Sequence, residues 1–205
     1  MIRAVVVDIG NVLIYENGDR ARDFLAKKYG FDAEDFWKYA KKNLSKSYCG
    51  KLDAKDFFAG LISELDIKNV SAEDMIDGWL EIRGGTSRVD EVVRETLENL
   101  KGKVLLGALT NSTVLNDRVG VRKNCYGLFD FKIISHEVGV SKPEKMIYKI
   151  FLEKLKENGV KPDECVFIDD RKENLNAVEE FGIEGILFED SEQMIRELRE
   201  LGVSC

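Results

Sequence analysis

The chain opens on an apolar run without alternation, Ala4-Val5-Val6-Val7, that ends in Asp8 and a Gly10-Asn11 pair. Such a run fits a strand buried on both faces, as central strands of a parallel sheet are. From Asn17 to about Gly85 the pattern turns helical. Ala21, Phe24 and Leu25 follow Asp19, and the stretch ends at Gly30. Phe36, Trp37, Ala40 and Leu44 make a second stripe that stops near Cys49-Gly50. Asp53 is placed to cap a third helix carrying Phe57, Phe58, Leu61, Ile62 and Leu65. Ser71, with Asp74 three residues on, opens a fourth with Met75, Ile76, Trp79 and Leu80. These aromatic faces need a shared interior, which predicts a small helical bundle over residues 17–85. The stripe residues, Trp37 and Trp79 included, read as core with no ligand role. Arg83-Gly84-Gly85-Thr86-Ser87 reads as a flexible return or hinge.

Beyond it strands and helices alternate. Val92, Val93, Thr96, Leu97 and Leu100 line a helix ending at Gly102, and Val104 to Leu109 is a strand delivering Thr110-Asn111-Ser112. Phe131 to Ile134 is the next strand, followed by a loop holding His136 and then Lys142-Pro143. Pro143 is placed in the first turn of a helix faced by Ile147, Tyr148, Phe151 and Leu155. Cys165 to Ile168 is a strand ending in Asp169-Asp170. Leu175, Val178 and Phe181 mark a helix, Gly185 to Phe188 the last strand, and Ser191 starts the final helix. Alternation of this kind demands parallel pairing with right-handed crossovers. The predicted fold is α/β: a doubly wound, Rossmann-like parallel sheet (residues 1–16 and 86–205) with a helical-bundle cap inserted after its first strand (residues 17–85).

Composition narrows the picture. The 205 residues are 44% hydrophobic and 34% charged, which suits a folded globular chain, and no apolar run reaches membrane-spanning length. A net charge of −7 argues against nucleic acid as a partner. The cysteines at 49, 125, 165 and 205 form no CxxC pair and share a single histidine, which argues against a zinc site and for reduced thiols in a cytoplasm. No partner other than a small molecule is expected, and the oligomeric state is left open.

The polar residues then fall into register. Asp8, Thr110, Lys142 and the pair Asp169-Asp170 all lie at or just past strand ends, and in a doubly wound sheet those ends share one edge. A carboxylate nucleophile, acidic groups for a hard cation, a hydroxyl and a lysine together describe a phosphoryl site.

These residues carry a resemblance to the haloacid dehalogenase-like hydrolase superfamily, in the branch with a helical cap between its first and second motifs. Asp8-Ile9-Gly10-Asn11-Val12-Leu13 resembles the first motif, Leu109-Thr110-Asn111-Ser112 the second and Gly139-Val140-Ser141-Lys142-Pro143 the third. Phe167-Ile168-Asp169-Asp170, with Asn174, Ala177 and Phe181-Gly182-Ile183, resembles the fourth. Similar first motifs occur in sugar-phosphate phosphatases and in the phosphatase-like domain of soluble epoxide hydrolases. The resemblance implies a Mg²⁺-dependent phosphatase of a small phosphorylated metabolite, sugar phosphates among the candidates. Asp8 would be the nucleophile that forms an aspartyl-phosphate, and Mg²⁺ would be held by Asp8, the Gly10 carbonyl and Asp170, supported by Asp169 and Asn174. Thr110, Asn111 and Lys142 would bind the phosphoryl oxygens.

Gly10 stands where the family usually carries a second aspartate that protonates the leaving group, a role worth about a hundred- to ten-thousand-fold. Two other readings therefore stay open: a phosphoryl-binding or partner-binding pseudo-enzyme, and a metal-independent 2-haloacid dehalogenase, against which the Asp169-Asp170 pair argues. His136 and Glu16 are weaker candidates for the missing acid or base. Tyr48-Cys49-Gly50-Lys51-Leu52 is either a plain interhelical turn or a segment overhanging the site.

Overall fold

The computed structural model describes residues 1–15 and 18–204. Glu16 and the hinge expected near Asn17 lie outside the described residues. The strands are β1 (Ala4–Val7), β2 (Ile14–Tyr15), β3 (Arg88–Val89), β4 (Leu105–Thr110), β5 (Phe131–Ile134), β6 (Cys165–Asp169) and β7 (Glu184–Leu187). Five of them form a parallel sheet in the order β5-β4-β1-β6-β7. Val7 lies level with Ala108 on one side and Ile168 on the other. The chain moves outward from β1 to β4 and β5, then returns to the far side for β6 and β7. Strand order thus reverses at β1, which opens a crevice at its carboxyl end.

Alternate residues of β1 feed two cores. Ala4 and Val6 pack with Leu109, Phe151 and Phe167 beneath the helices α8 (Lys145–Glu157) and α9 (Lys172–Glu179). Val5 and Val7 pack with Leu97, Leu106 and Met194 beneath α5 (Glu91–Leu100) and α10 (Ser191–Glu200). Both faces are covered, which is why β1 reads as a continuous apolar run and not an alternating one.

Between β2 and β3 the chain builds α1 (Gly18–Tyr29), α2 (Ala33–Tyr48), α3 (Ala54–Glu64) and α4 (Ala72–Thr86). Their starts follow local chemistry. The Asp32 carboxylate accepts from Glu34 N, Asp53 accepts from Asp56 N, and Ser71 with Asp74 completes a capping box at α4. Leu25, Phe36, Phe58 and Met75 extend the Val5–Val7 core without a break, so the four helices are fused to the sheet's apolar interior.

Two expectations are corrected. Gly84-Gly85 forms no loop or return strand: both lie inside α4, which runs on to Thr86 and is stopped at Ser87. Chain crosses from helices to sheet instead through the antiparallel ribbon pairing Ile14 with Val89 and Tyr15 with Arg88. Pro143 is not in the first turn of α8. It follows a cis Lys142-Pro143 bond, and Glu144 occupies the cap position. The structure also adds α6 (Val114–Arg122), capped by Thr113, and a short α7 (Ser135–Val138) that takes up His136.

Candidate active site

Asp8 is the first residue past β1, at the point where strand order reverses. Its backbone N–H donates to Ile168 O at 2.8 Å, extending the ladder, and the chain then coils so that Leu13 N and Ile14 N both donate to Ile9 O. Asn11, at the crest of this coil, takes a left-handed conformation (φ 57°), which asparagine tolerates better than most residues. Gly10 has no such constraint. A Cβ there would meet nothing within 4 Å and its φ is not positive, so the turn itself does not demand glycine.

The Asp8 side chain is 10% exposed. One carboxylate oxygen accepts from Ile9 N at 2.7 Å, and the other lies 3.1 Å from Lys142 Nζ. The Thr110 side chain, at the end of β4, also acts on this carboxylate. Burial pushes the Asp8 carboxyl up to about 6; Lys142 pulls it down, Asp169's charge raises it and Thr110 lowers it.

Lys142 reaches the crevice from the loop before α8. Its ammonium donates to Asp169 Oδ2 at 2.6 Å and to Leu109 O at 2.8 Å, and it lies 5.3 Å above the Phe167 ring. Asn111 holds that loop in place: its amide donates to Lys142 O and accepts from Lys142 N, both at 2.8 Å. Asn111, predicted to bind substrate, therefore has its side chain committed to the Lys142 backbone. Asp169 is fully buried and saturated by Lys142, by Asn174 Nδ2 at both oxygens and by Arg171 N. Asp170, half-buried, faces the crevice and accepts from Asn11 Nδ2 at 3.1 Å.

Carboxylate oxygens of Asp8, Asp169 and Asp170 all lie within 4.8 Å of one another. Oxygen donors so close repel unless a cation is shared, and hard divalent ions such as Mg²⁺ prefer that donor set. Lys142 already neutralises Asp169, so the donors left for a metal are Asp8 and Asp170, with Gly10 beside them in the chain.

His136 does not face solvent freely. Its Nδ1 lies 3.2 Å from Ser112 O. Above it sits the turn after α2. Gly50 (φ 64°) packs so closely that a Cβ would collide with the His136 carbonyl, and Cys49 Sγ lies 3.9 Å from Ser141 Oγ. The segment 48–52 does overhang the sheet edge. Trp37 and Trp79, read from sequence as core alone, line a cavity of about 340 Å³ among the helices of the insert and the start of α6. Aromatic stripes at helical spacing look the same in sequence whether they fill a core or wall a cavity.

Fold and site together define a Rossmann-like α/β protein with a buried carboxylate–lysine centre at its topological switch point. The profile of haloacid dehalogenase-like hydrolases matches residues 2–182, and the chain belongs to that family. It is 44% identical over 73 residues to bifunctional epoxide hydrolase 2 of Rattus norvegicus, covering 36% of this chain and 13% of that protein. It is 28% identical over 155 residues to flavin mononucleotide hydrolase 1 of Arabidopsis thaliana, covering 73% of this chain and 62% of that one. The chain thus spans less than two thirds of either relative. Among solved structures, a HAD family enzyme from Bacteroides thetaiotaomicron superposes with a TM-score of 0.81 at 22% identity, covering 97% and 98% of the two chains. The same enzyme in complex with magnesium and inorganic phosphate superposes with a TM-score of 0.78 at 23% identity, covering 96% and 100%. At that identity the likeness is one of fold. No helix among the described residues is long and apolar enough to cross a membrane.

Proposed function

We propose that the protein is a Mg²⁺-dependent phosphatase of a small phosphorylated metabolite. The observation that carries this reading is the buried Asp8 carboxylate, in contact with Lys142 and Thr110 and within 4.8 Å of the Asp170 carboxylate. Asp8 attacks phosphorus; the bond to the leaving oxygen breaks and its electron pair departs with that oxygen. Water then attacks the same phosphorus, releasing inorganic phosphate and restoring the Asp8 carboxylate. Lys142 and Thr110 stabilise the charge on the phosphoryl oxygens, and Asn111 and Asp169 hold Lys142 where that charge develops. Asp8, Asp170 and the Gly10 carbonyl would hold Mg²⁺, which would supply Lewis-acid neutralisation of the phosphoryl group. The helices α1–α4 form a cap (residues 17–85) on a core of residues 1–16 and 86–205, and their 48–52 turn closes over the site to exclude water.

A metal-free 2-haloacid dehalogenase would have no use for three carboxylates gathered so closely. Gly10 keeps the impaired pseudo-enzyme as a second reading, since no carboxylate follows Asp8 at that position. The relative named as a flavin mononucleotide hydrolase supports placing that phosphate beside sugar, acyl and aryl phosphates as a test substrate. The test is phosphate release over that set, with Mg²⁺ and with EDTA. Release that requires Mg²⁺ supports the reading; full release in EDTA overturns it. No release from any ester with Mg²⁺ bound favours the pseudo-enzyme.

A further inference from the structure

Two neighbouring residues in the coil after β1 stand in the reverse of the order the backbone prefers. Gly10, whose φ is not positive, occupies a position where a Cβ would meet nothing within 4 Å. Asn11 occupies the left-handed position (φ 57°), where glycine is the residue without steric cost. Backbone geometry alone would put the glycine at 11 and a side chain at 10. A side chain kept at the strained position calls for a contact that offsets the strain.

That contact is with Asp170. Asn11 Nδ2 donates to Asp170 Oδ2 at 3.1 Å, joining residues 159 apart in sequence. An ionised carboxylate only accepts, which turns the Asn11 amide with its nitrogen towards Asp170. Among the described residues this is the one hydrogen bond that the Asp170 carboxylate makes, and its second oxygen has no such partner. Asp169, next in the chain, is held by Lys142, Asn174 and Arg171 N. The two acids of the pair are thus supported very differently, Asp169 by a saturated buried network and Asp170 by Asn11. Asn11 also shares a short coil with Asp8, closed by Asn11 N on Ile14 O and by Leu13 N and Ile14 N on Ile9 O. The bond therefore ties Asp170 to the segment that carries Asp8, and their carboxylate oxygens lie within 4.8 Å.

We infer that Asn11 is a positioning residue for a divalent cation: it holds the Asp170 carboxylate towards Asp8 before the cation arrives. The inference rests on the Mg²⁺ site of the phosphatase reading, and it gives Asn11 no contact with the cation or the phosphoryl group. A carboxylate already oriented loses less side-chain freedom on binding metal. Partners of this kind typically raise metal affinity by about 10–100-fold. Asn11 is exposed and makes a single bond, so the lower end of that range applies.

The experiment measures Mg²⁺ affinity by calorimetry and stability by urea denaturation for the wild type, Asn11→Gly, Asn11→Ala and Asn69→Gly. Asn11→Gly removes the amide and suits the left-handed backbone, whereas Asn11→Ala removes it and does not. Asn69, exposed between α3 and α4, has the same φ of 57° and repeats the backbone change within the helical insert. Asn11→Gly should keep or raise the urea midpoint and Asn11→Ala should lower it, yet both should weaken Mg²⁺ binding about ten-fold. Asn69→Gly should leave that affinity unchanged. With acetyl phosphate, Asn11→Gly should need about ten-fold more Mg²⁺ and regain the wild-type kcat and substrate KM once Mg²⁺ saturates.

Unchanged Mg²⁺ affinity in both Asn11 variants overturns the inference and leaves the phosphatase reading standing. Weakening in Asn11→Ala alone reduces the effect to backbone strain and overturns it too. A substrate KM that stays raised at saturating Mg²⁺, with Mg²⁺ affinity unchanged, would put Asn11 on the substrate instead. No Mg²⁺ binding by the wild type defeats the metal site of the phosphatase reading and the inference with it, a result read before any variant is made.

Discussion

Lys142 and Asp169 form a buried ion pair, 2.6 Å apart, with side-chain exposures of 1% and 0%. The pair makes the site's charges interdependent. Lys142 lies between Asp169 and Asp8, so Asp169 fixes the ammonium where it can face a phosphoryl group held on Asp8. Removing the carboxylate leaves a buried cation with one acid and a carbonyl. Breaking such a pair costs about 3–5 kcal/mol. Asp169→Ala should therefore lower the denaturant midpoint by a corresponding amount and reduce phosphate release. Unchanged stability would mean that water replaces the carboxylate without cost.

If Asp8 is a metal ligand as proposed, metal and proton compete for it. Asp170→Ala should weaken Mg²⁺ binding measured by calorimetry and remove the metal-dependent part of turnover. The Asp8 carboxyl, pushed up to about 6 chiefly by burial, is protonated below that pH and must lose its proton to bind a cation. Mg²⁺ affinity should rise as pH increases from 5 to 7 and level off above. The stability of the metal-free protein should change in the opposite sense. Its folded state holds this proton more tightly than the unfolded chain does, so the group's contribution declines as pH rises from the usual carboxylate range towards 6. A pH-independent Mg²⁺ affinity over this range would remove Asp8 from the ligand set.

On the proposed mechanism, Gly10 should set the range of leaving groups. Without a proton donor at this position, esters whose leaving oxygen carries negative charge easily should react, and plain alkyl phosphates barely. A Cβ at Gly10 meets open space, so Gly10→Asp should be accommodated. Its rate gain should be larger for poor leaving groups, flattening the dependence of turnover on leaving-group pKa. A dependence already flat in the wild type, with chemistry rate-limiting, would assign the proton to another residue. His136 would then be the candidate to test.

The turn after α2 is a second lever. Gly50→Ala adds a methyl that collides with the His136 carbonyl and strains a φ of 64°. Gly30→Ala carries the same kind of strain at φ 73° with nothing within 4 Å. If the turn closes over the site, the Gly50 variant alone should raise KM and speed hydrogen exchange across residues 135–141. Equal effects from both variants would reduce the result to backbone strain.

Much of this was legible in the sequence because it is local. The caps at Asp53 and Ser71, the unalternating β1 run and the acids at strand ends are short-range signals that the structure keeps. The Gly84-Gly85 pair misled because glycine's low helix propensity is a weak term, overridden here by packing of the helix that contains it. The two-residue strands at 14–15 and 88–89 are too short to carry a period. The tie between Asn111 and the Lys142 backbone joins residues 31 apart, and only the completed sheet edge brings them together. The aromatic cavity arises from how α1–α4 meet one another and α6, a relation no single stripe encodes.

The account rests on Asp8 as the group that takes the phosphoryl. The direct measurement is acid quenching of the enzyme during turnover of acetyl phosphate with Mg²⁺, followed by mass spectrometry of the digested protein. The account predicts one phosphoryl group on the peptide carrying Asp8, labile to hydroxylamine, and neither adduct nor phosphate release from Asp8→Asn. Phosphate release by Asp8→Asn at the wild-type rate, with no phosphoryl group trapped on either protein, would contradict it.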